Sequence, residues 1–287
     1  MHEFGFTSLN GFMWGCGLAL FHRVIKIFPY QAADIVLYGV VGVVLSRYCL
    51  SDVRASLPAN KPMTSAQVRV RGFFLGWAFS VGLLLFEQGT YYNFGIYCCI
   101  LSFFHYSEFF ITSLINPETL ALSSFLLDHS KEYGIAAAAS VLEFFAEVYF
   151  FPELKQIKYV VVLGTLVCLL GEMVRKGAML TAWNNFTHLV RDRKVEGHRL
   201  ITHGLYSLCR HPGYAGWFWW SVGTQIILIN PICLVGYALA SARFFQSRIY
   251  YEEACLLSFF SDYSEYQKTV PRTGVPFAEG YLEFRNN

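Results

Sequence analysis

The chain has 287 residues, with 22 Lys and Arg against 20 Asp and Glu, for a net charge of +2. Only 15% of its residues are charged and 55% are hydrophobic, at a mean hydropathy of +0.40; a soluble domain carries roughly 25% charge, so the composition predicts a bilayer protein. The small net charge, with no basic stretch interleaved with stacking aromatics, argues against a nucleic-acid partner.

Eight apolar runs are expected as spans. Residues 4–21 and 31–46 come first, separated by His22, Arg23, Lys26 and Pro29. The second run falls short of the ~20 residues a span needs unless Gln31 and Arg47 reach to the interface. No leader and cleavage pattern precedes the first run, so no removable signal peptide is expected. The connector from Arg47 to Arg71 carries Arg47, Arg54, Lys61, Arg69 and Arg71 against Asp52. By the bias of basic residues toward the cytosol, this connector and the amino terminus are cytosolic.

Runs at 72–86 and 94–115 are joined by a tight turn, Glu87 to Asn93. The second of them carries His105 and Glu108, three apart on one helical face, and their pairing between packed helices explains them without a functional role. A second cytosolic connector, Asn116 to Tyr133, leads to the run 134–151. Glu143 and Glu147 share a face of that run, Pro152 ends it, and Lys155 and Lys158 beyond are natural partners for the two acids. Run 159–174 ends in Glu172, Arg175 and Lys176, and its helical pattern continues through Ala178, Leu180 and Trp183 toward Phe186. The segment from Arg175 to Arg210 holds seven basic residues against Asp192 and Glu196, so it too is placed in the cytosol.

Next comes a polar island, Gly197 to Trp217, crowding three histidines, two arginines and two tyrosines beside four glycines and a proline. A loop that only connects can be short and plain, so this stretch reads as a site. Runs 213–229 and 232–249 follow as a hairpin split by Asn230-Pro231, a turn-forming pair. Tyr250 to Lys268 reads as a short amphipathic helix against the hairpin mouth. The expected fold is therefore all-α and polytopic, with about eight transmembrane helices and both termini and the site cytosolic. Residues 1–158 supply five spans, and 159–287 supply three more with the cofactor-binding connector and the tail.

Six of the eight cysteines lie in or beside apolar runs and no C-x-x-C pair occurs, so they read as small core residues. Cys209 and Cys255 lie near the island or the tail, where a ligand or nucleophile role is open in principle. A metal site at His198, His203, Cys209 and His211 is disfavoured: no paired zinc-type spacing is present, and His198 and His203 would stand ~140° apart on a helix. G-x-G-x-x-G is absent, which argues against a soluble nucleotide fold. Asn185-Phe186-Thr187 fits a glycosylation pattern but is expected to be unmodified, because its segment is placed in the cytosol.

Gly204-Leu205-Tyr206, Arg210-His211-Pro212-Gly213-Tyr214, Gly216, the Asn230-Pro231 tip, Arg243-Phe244-Phe245, Glu252-Glu253 and Val270-Pro271 together resemble the carboxy-terminal signature of the isoprenylcysteine carboxyl methyltransferases and their phospholipid methyltransferase relatives. The signature covers about the last 110 residues. The resemblance implies an endoplasmic reticulum enzyme that moves a methyl group from S-adenosylmethionine to the terminal carboxylate of a prenylated cysteine in processed CaaX proteins. It also implies that His198, Leu200, Tyr206, His211, Tyr214 and Glu252 surround the cofactor. Arg243, inside the last span, is the first choice for holding the substrate carboxylate, since a fork of hydrogen bonds offsets its burial cost. Arg175 is the second, against the alternative of a snorkelling residue paired with Glu172. No metal is expected, and membrane lipid is an expected partner. Two other readings stay open: a sterol reductase with an R-H-x-x-Y nicotinamide site, and a non-enzymatic transporter or lipid-binding bundle.

Overall fold

The structure, a computed structural model, describes residues 3–26, 63–127 and 130–281. Among the described residues it is helical throughout, with no strand: α1 (Glu3–Lys26), α2 (Ser65–Gln88), α3 (Tyr92–Ile115), α4 (Lys131–Phe150), α5 (Lys158–Ala182), α6 (Pro212–Leu228), α7 (Pro231–Phe259) and α8 (Tyr263–Thr269). Three of these, α2, α3 and α4, are long and apolar enough to cross a membrane by length and composition. The run 31–46 and most of the Arg47–Arg71 connector lie outside the described residues.

By contact the chain forms two compact units, one holding α1 to α3 with Leu120–Leu127, the other holding Ile115–Thr119 and α4 to α8. In the first unit, Thr64 and Gln67 form a reciprocal capping box that starts α2, which satisfies two otherwise orphaned amides. Gly89, at φ +80°, ends the helix. Helices α1 and α2 approach so closely that a Cβ on Gly72 would stand 2.6 Å from the Ser8 carbonyl oxygen. The core joins Phe12, Val68, Leu75, Tyr106 and Phe109 with Phe125, whose ring stacks on Phe109 at 4.0 Å. His105 Nδ1 lies 2.8 Å from the Phe125 carbonyl oxygen, so this histidine ties the 122–125 turn to α3.

In the second unit, α5 and α6 form the tightest seam. A Cβ on Gly216 would meet the Gly171 carbonyl and the Arg175 amide nitrogen, both at 2.6 Å, and one on Gly171 would meet the Gly216 carbonyl at 2.7 Å. Small residues here let the two backbones touch, the usual device where lipid supplies no hydrophobic drive between helices. Pro212 and Pro231 occupy first helical positions in α6 and α7, where a missing N–H costs nothing.

The tip of the α6–α7 hairpin is held by charge. Lys155 is buried, pairs with Glu147, and donates to the carbonyls of Leu228 (2.7 Å) and Ile229 (2.9 Å) and to Asn230 Oδ1 (3.1 Å). Glu143 accepts from the amides of Ile232 and Cys233, each at 2.7 Å, and so caps α7 from α4. Of the two lysines expected beside these acids, Lys155 takes Glu147. The tail departs from expectation: α7 runs unbroken to Phe259, and the separate helix is only Tyr263–Thr269. Nothing between Arg248 and Ser258 interrupts a helix, because Glu252, Glu253, Ala254 and Leu256 all favour one.

Candidate functional site

The cleft of interest is built where α5 ends, α6 begins and α7 runs on past its hairpin partner. Helix α5 continues past Arg175 to Ala182, and the 3₁₀ turn Trp183–Asn185 carries the chain to Phe186, as its pattern predicts. From there to the 3₁₀ turn Gly204–Ser207 the chain is irregular. Asn185 Oδ1 accepts from the Arg199 amide at 2.8 Å, and Lys194 Nζ donates to the Phe259 carbonyl at 2.8 Å. Those two bonds hold the irregular segment against the turn that ends α5 and against the end of α7.

His198, Leu200, Tyr206, His211, Tyr214 and Glu252 all line one cleft of about 120 Å³. By the space one water needs, that is room for several of them, and its wall mixes polar side chains with Phe186, Phe259 and Phe260. His198 Nδ1 is buried and has no hydrogen-bond partner. Its ring meets the ring of Phe260 edge-on at 5.1 Å. Burial, followed by the charges of Arg191 and Lys194, lowers its pKa below the ordinary 6.5, which keeps the ring neutral. Tyr206 is raised above its ordinary value by burial and then by the charge of Glu252, so its phenol stays protonated. Tyr214 donates to Glu252 Oε2 at 2.6 Å.

Behind this lining lies a buried charge cluster. Arg210 Nε donates to Glu253 Oε1 at 2.7 Å, and His211 Nε2 lies 2.9 Å from the same oxygen. An ionised carboxylate only accepts, so His211 Nε2 carries the proton. Tyr263 (3.2 Å), Gln267 (3.2 Å) and the Tyr281 amide (2.8 Å) also donate to Glu253. Burial alone would raise this carboxyl. The hydrogen bonds and charges of His211 and then Arg210 outweigh it and hold the pKa below the ordinary 4.5. Tyr266 donates to the Tyr206 carbonyl at 2.6 Å, so α8 fixes the Gly204–Ser207 turn from outside.

The two arginines singled out in the sequence lie elsewhere. Arg175 is buried to 1% exposure beneath the start of α6, with Nη1 donating to the Gly213 carbonyl at 3.0 Å. Its guanidinium sits 4.8 Å from the Trp217 ring centre and 5.6 Å from that of Phe186. Glu172, the partner weighed for it, lies 3.4 Å from Lys176. Arg243 is exposed on α7 and is not among the residues that line the cleft. Sequence reasoning passed over Arg248, whose Nε donates to the Tyr214 hydroxyl at 2.8 Å and which also holds the His188 carbonyl. Its spacing of four from Glu252 was the available signal.

Among the described residues no group of three or more His, Cys, Asp or Glu is arranged to hold a metal. The helical angle between His198 and His203 has no bearing here, because the segment joining them is not helical. His203 is exposed, and His211 is occupied by Glu253.

These features define a helical membrane protein with a cleft at the start of α6, and comparison with known proteins narrows that class. The family model of the isoprenylcysteine carboxyl methyltransferases (ICMT) matches residues 162–258. The chain is 53% identical over 216 residues to the protein-S-isoprenylcysteine O-methyltransferase of Xenopus laevis, covering 75% of each chain. It is 51% identical to that of Homo sapiens over 216 residues, 75% of this chain and 76% of the relative. It is 39% identical to that of Saccharomyces cerevisiae over 218 residues, 74% of this chain and 91% of the relative. A solved structure of the eukaryotic intramembrane Ras methyltransferase ICMT superposes with a TM-score of 0.82 at 42% identity, over 98% of this chain and 100% of that one.

The chain belongs to the isoprenylcysteine carboxyl methyltransferase family. It is thus a multi-pass membrane methyltransferase acting on the carboxyl group of isoprenylcysteine, and the reductase and scaffold readings fall away.

Proposed function

We propose that the cleft between the irregular segment 186–203 and the starts of α6 and α8 binds S-adenosylmethionine, and that the acceptor is the terminal carboxylate of a prenylated cysteine in a processed CaaX protein. The observation that carries this reading is the convergence of His198, Leu200, Tyr206, His211, Tyr214 and Glu252, 54 positions apart at the extremes, on one cleft. The fit is chemical. Neutral His198 places its ring in the cleft wall, and Glu252 offers a carboxylate for hydroxyls or an ammonium. Tyr206, Tyr214, Phe259 and Phe260 offer aromatic faces and edges for adenine or a cation. When bound, S-adenosylmethionine supplies an electrophilic methyl on a sulfonium.

An α-carboxylate in water titrates at about 3.5, so the acceptor is ionised near neutral pH and no side chain needs to act as general base. The protein's task is placement and exclusion of water, since opposite charges vanish as the methyl moves and a dry site favours that change. Arginine is the natural grip for the acceptor. Arg175, beneath Gly213 of the cleft wall, and Arg248, bonded to Tyr214, are the two whose surroundings support that role best. Arg243, exposed on α7, suits an earlier contact with a substrate arriving from the bilayer.

The further parts of the proposal are an eight-span topology, an endoplasmic reticulum membrane, a cytosolic cleft and termini, and sideways entry of the prenyl chain from lipid. The test is to measure S-adenosylmethionine affinity and the KM for a small prenylcysteine separately in purified protein. Glu252→Gln should weaken cofactor binding by about tenfold or more, as expected for a lost charge-assisted hydrogen bond. Arg175→Ala or Arg248→Ala should raise KM or lower kcat while leaving cofactor affinity within a few fold. Cofactor affinity untouched by Glu252→Gln would exclude the cleft as the cofactor site.

A further inference from the structure

Asn116 directly follows α3 and groups by contact with the second unit. It is buried, and its Nδ2 donates to the carbonyls of Asn184 and Phe186, each at 3.0 Å. Both amide hydrogens are thus spent on two carbonyls that flank Asn185, 68 and 70 positions further along the chain. A carbonyl only accepts, so the side-chain nitrogen, and not its oxygen, must face them.

The turn held in this way is strained. Trp183 has φ +51° and ψ −126°, a conformation that a bulky side chain rarely adopts. Such a residue persists only where its surroundings over-determine it, and strain of this kind collects at functional sites. The Trp183 amide donates to the Met179 carbonyl, and its carbonyl accepts from the Phe186 amide at 3.0 Å. Asn116 pins the same turn from outside.

What the strained turn delivers to the cleft is Phe186. Its ring centre lies 5.6 Å from the Arg175 guanidinium, and that of Trp217 lies 4.8 Å away. A Cβ on Gly213 would stand 3.3 Å from the Phe186 ring and 3.8 Å from Arg175 Nη1, so ring, guanidinium and the first turn of α6 lie against one another. Trp217 is carried by α6, whereas Phe186 owes its place to the turn before it. One of the two rings that seat Arg175 therefore depends on Asn116.

We infer that Asn116 is a positioning residue for methyl transfer: by fixing the 184–186 turn it sets the Phe186 ring, and with it the direction of the Arg175 guanidinium. Arginine recognises a carboxylate through a planar fork, so its orientation matters as well as its charge. Misplacing a reacting group by an ångström from a distance can cost about a hundredfold in rate. Asn116 is not part of the cleft wall, so it acts through Phe186. The inference rests on the reading of Arg175 as the grip on the acceptor carboxylate.

The test is a double-mutant cycle on the purified full-length protein. It is read as kcat/KM for a small prenylcysteine at saturating S-adenosylmethionine, at equal folded concentration and well below the melting temperature. Asn116→Asp keeps the shape of the side chain and removes both donors; Asn116→Ser keeps one donor and serves if the first does not fold. Asn116→Asp should lower kcat/KM by about thirtyfold and Asn116→Ser by about fivefold, as lost buried hydrogen bonds do. Phe186→Leu should lower it by about tenfold through the lost ring contact. Adding either Asn116 substitution to Phe186→Leu should cost less than about threefold more, as for residues that act as one unit, with S-adenosylmethionine affinity held within about threefold. Losses that multiply in the double variant, a cofactor affinity that falls as far as kcat/KM, or wild-type kcat/KM in Asn116→Asp would each overturn the inference. Failure of the Arg175 reading shows separately, as wild-type kinetics from Arg175→Ala with the coupling of Asn116 to Phe186 still present.

Discussion

The Glu253 carboxylate accepts from Arg210, His211, Tyr263, Gln267 and the Tyr281 amide, and it is wholly buried. Replacing it with Gln would set an NH₂ donor against donors and leave the Arg210 charge uncompensated. Breaking a buried pair in this way costs about 3–5 kcal/mol, so Glu253→Gln should unfold at markedly lower temperature and lose activity, as thermal melts and turnover would show. Because this carboxyl has a folded pKa below its ordinary 4.5, its stabilising contribution is present in full above pH 4.5 and disappears as pH falls through the lower folded value. A melting series from pH 7 downward should therefore stay flat as far as this group goes until about 4.5, with Glu253→Gln lacking the acid-limb loss. At Tyr214, removing the hydroxyl takes a bond from Glu252 and another from Arg248. Tyr214→Phe should reduce kcat/KM by roughly 10- to 100-fold with little change in melting temperature. That His198, Leu200, Tyr206, His211, Tyr214 and Glu252 share one cleft was legible because the family resemblance names them together. Glu253's role was not, since its partners range from 43 positions before it to 28 after, and only folding brings them to one carboxylate.

Helix contacts explain why the cleft keeps its shape. Gly216 packs directly on the backbone of Gly171 and Arg175, so even a methyl group there must push α6 away from α5 and carry Arg175 with it. Gly216→Ala should cost about 1–3 kcal/mol by overpacking and impair turnover more than cofactor binding, a split that melting curves and separate binding and rate measurements would show. At the opposite end of α6, Lys155→Met should lower stability without changing cofactor affinity, because it strands Glu147 and uncaps Leu228 and Ile229, all at the hairpin tip. The helices themselves were largely legible: apolar runs at 72–86, 94–115, 134–151, 159–174 and 213–229 fall within or nearly within described helices. The end of α7 was not, because a drop in hydropathy after Ile249 marks where an apolar run stops and not where a helix stops. The glycine seams were hidden too, since the sequence shows small residues but not the face they share.

For the whole molecule, the apolar composition implied a membrane and the charged connectors implied an orientation. Three described helices meet the length and hydropathy of a span, and the likeness to a solved ICMT structure extends over 98% of the chain. By contact α4 groups with the helices that follow it, because Glu143 and Lys155 tie it to the hairpin tip. The orientation predicts that Asn185, whose side chain already holds Arg199, carries no glycan when the protein is made in secretory membranes. A mass shift removed by glycosidase would contradict it. The most direct measurement is transfer of labelled methyl from S-adenosylmethionine to a small prenylcysteine, with wild type and Glu252→Gln compared at equal folded concentration. The expected result is base-labile label, marking a carboxyl methyl ester, that falls at least about tenfold in the variant and is recovered in part at high cofactor concentration. Base-stable label, or full transfer by the variant at low cofactor concentration, would contradict the assignment of this cleft to methyl transfer.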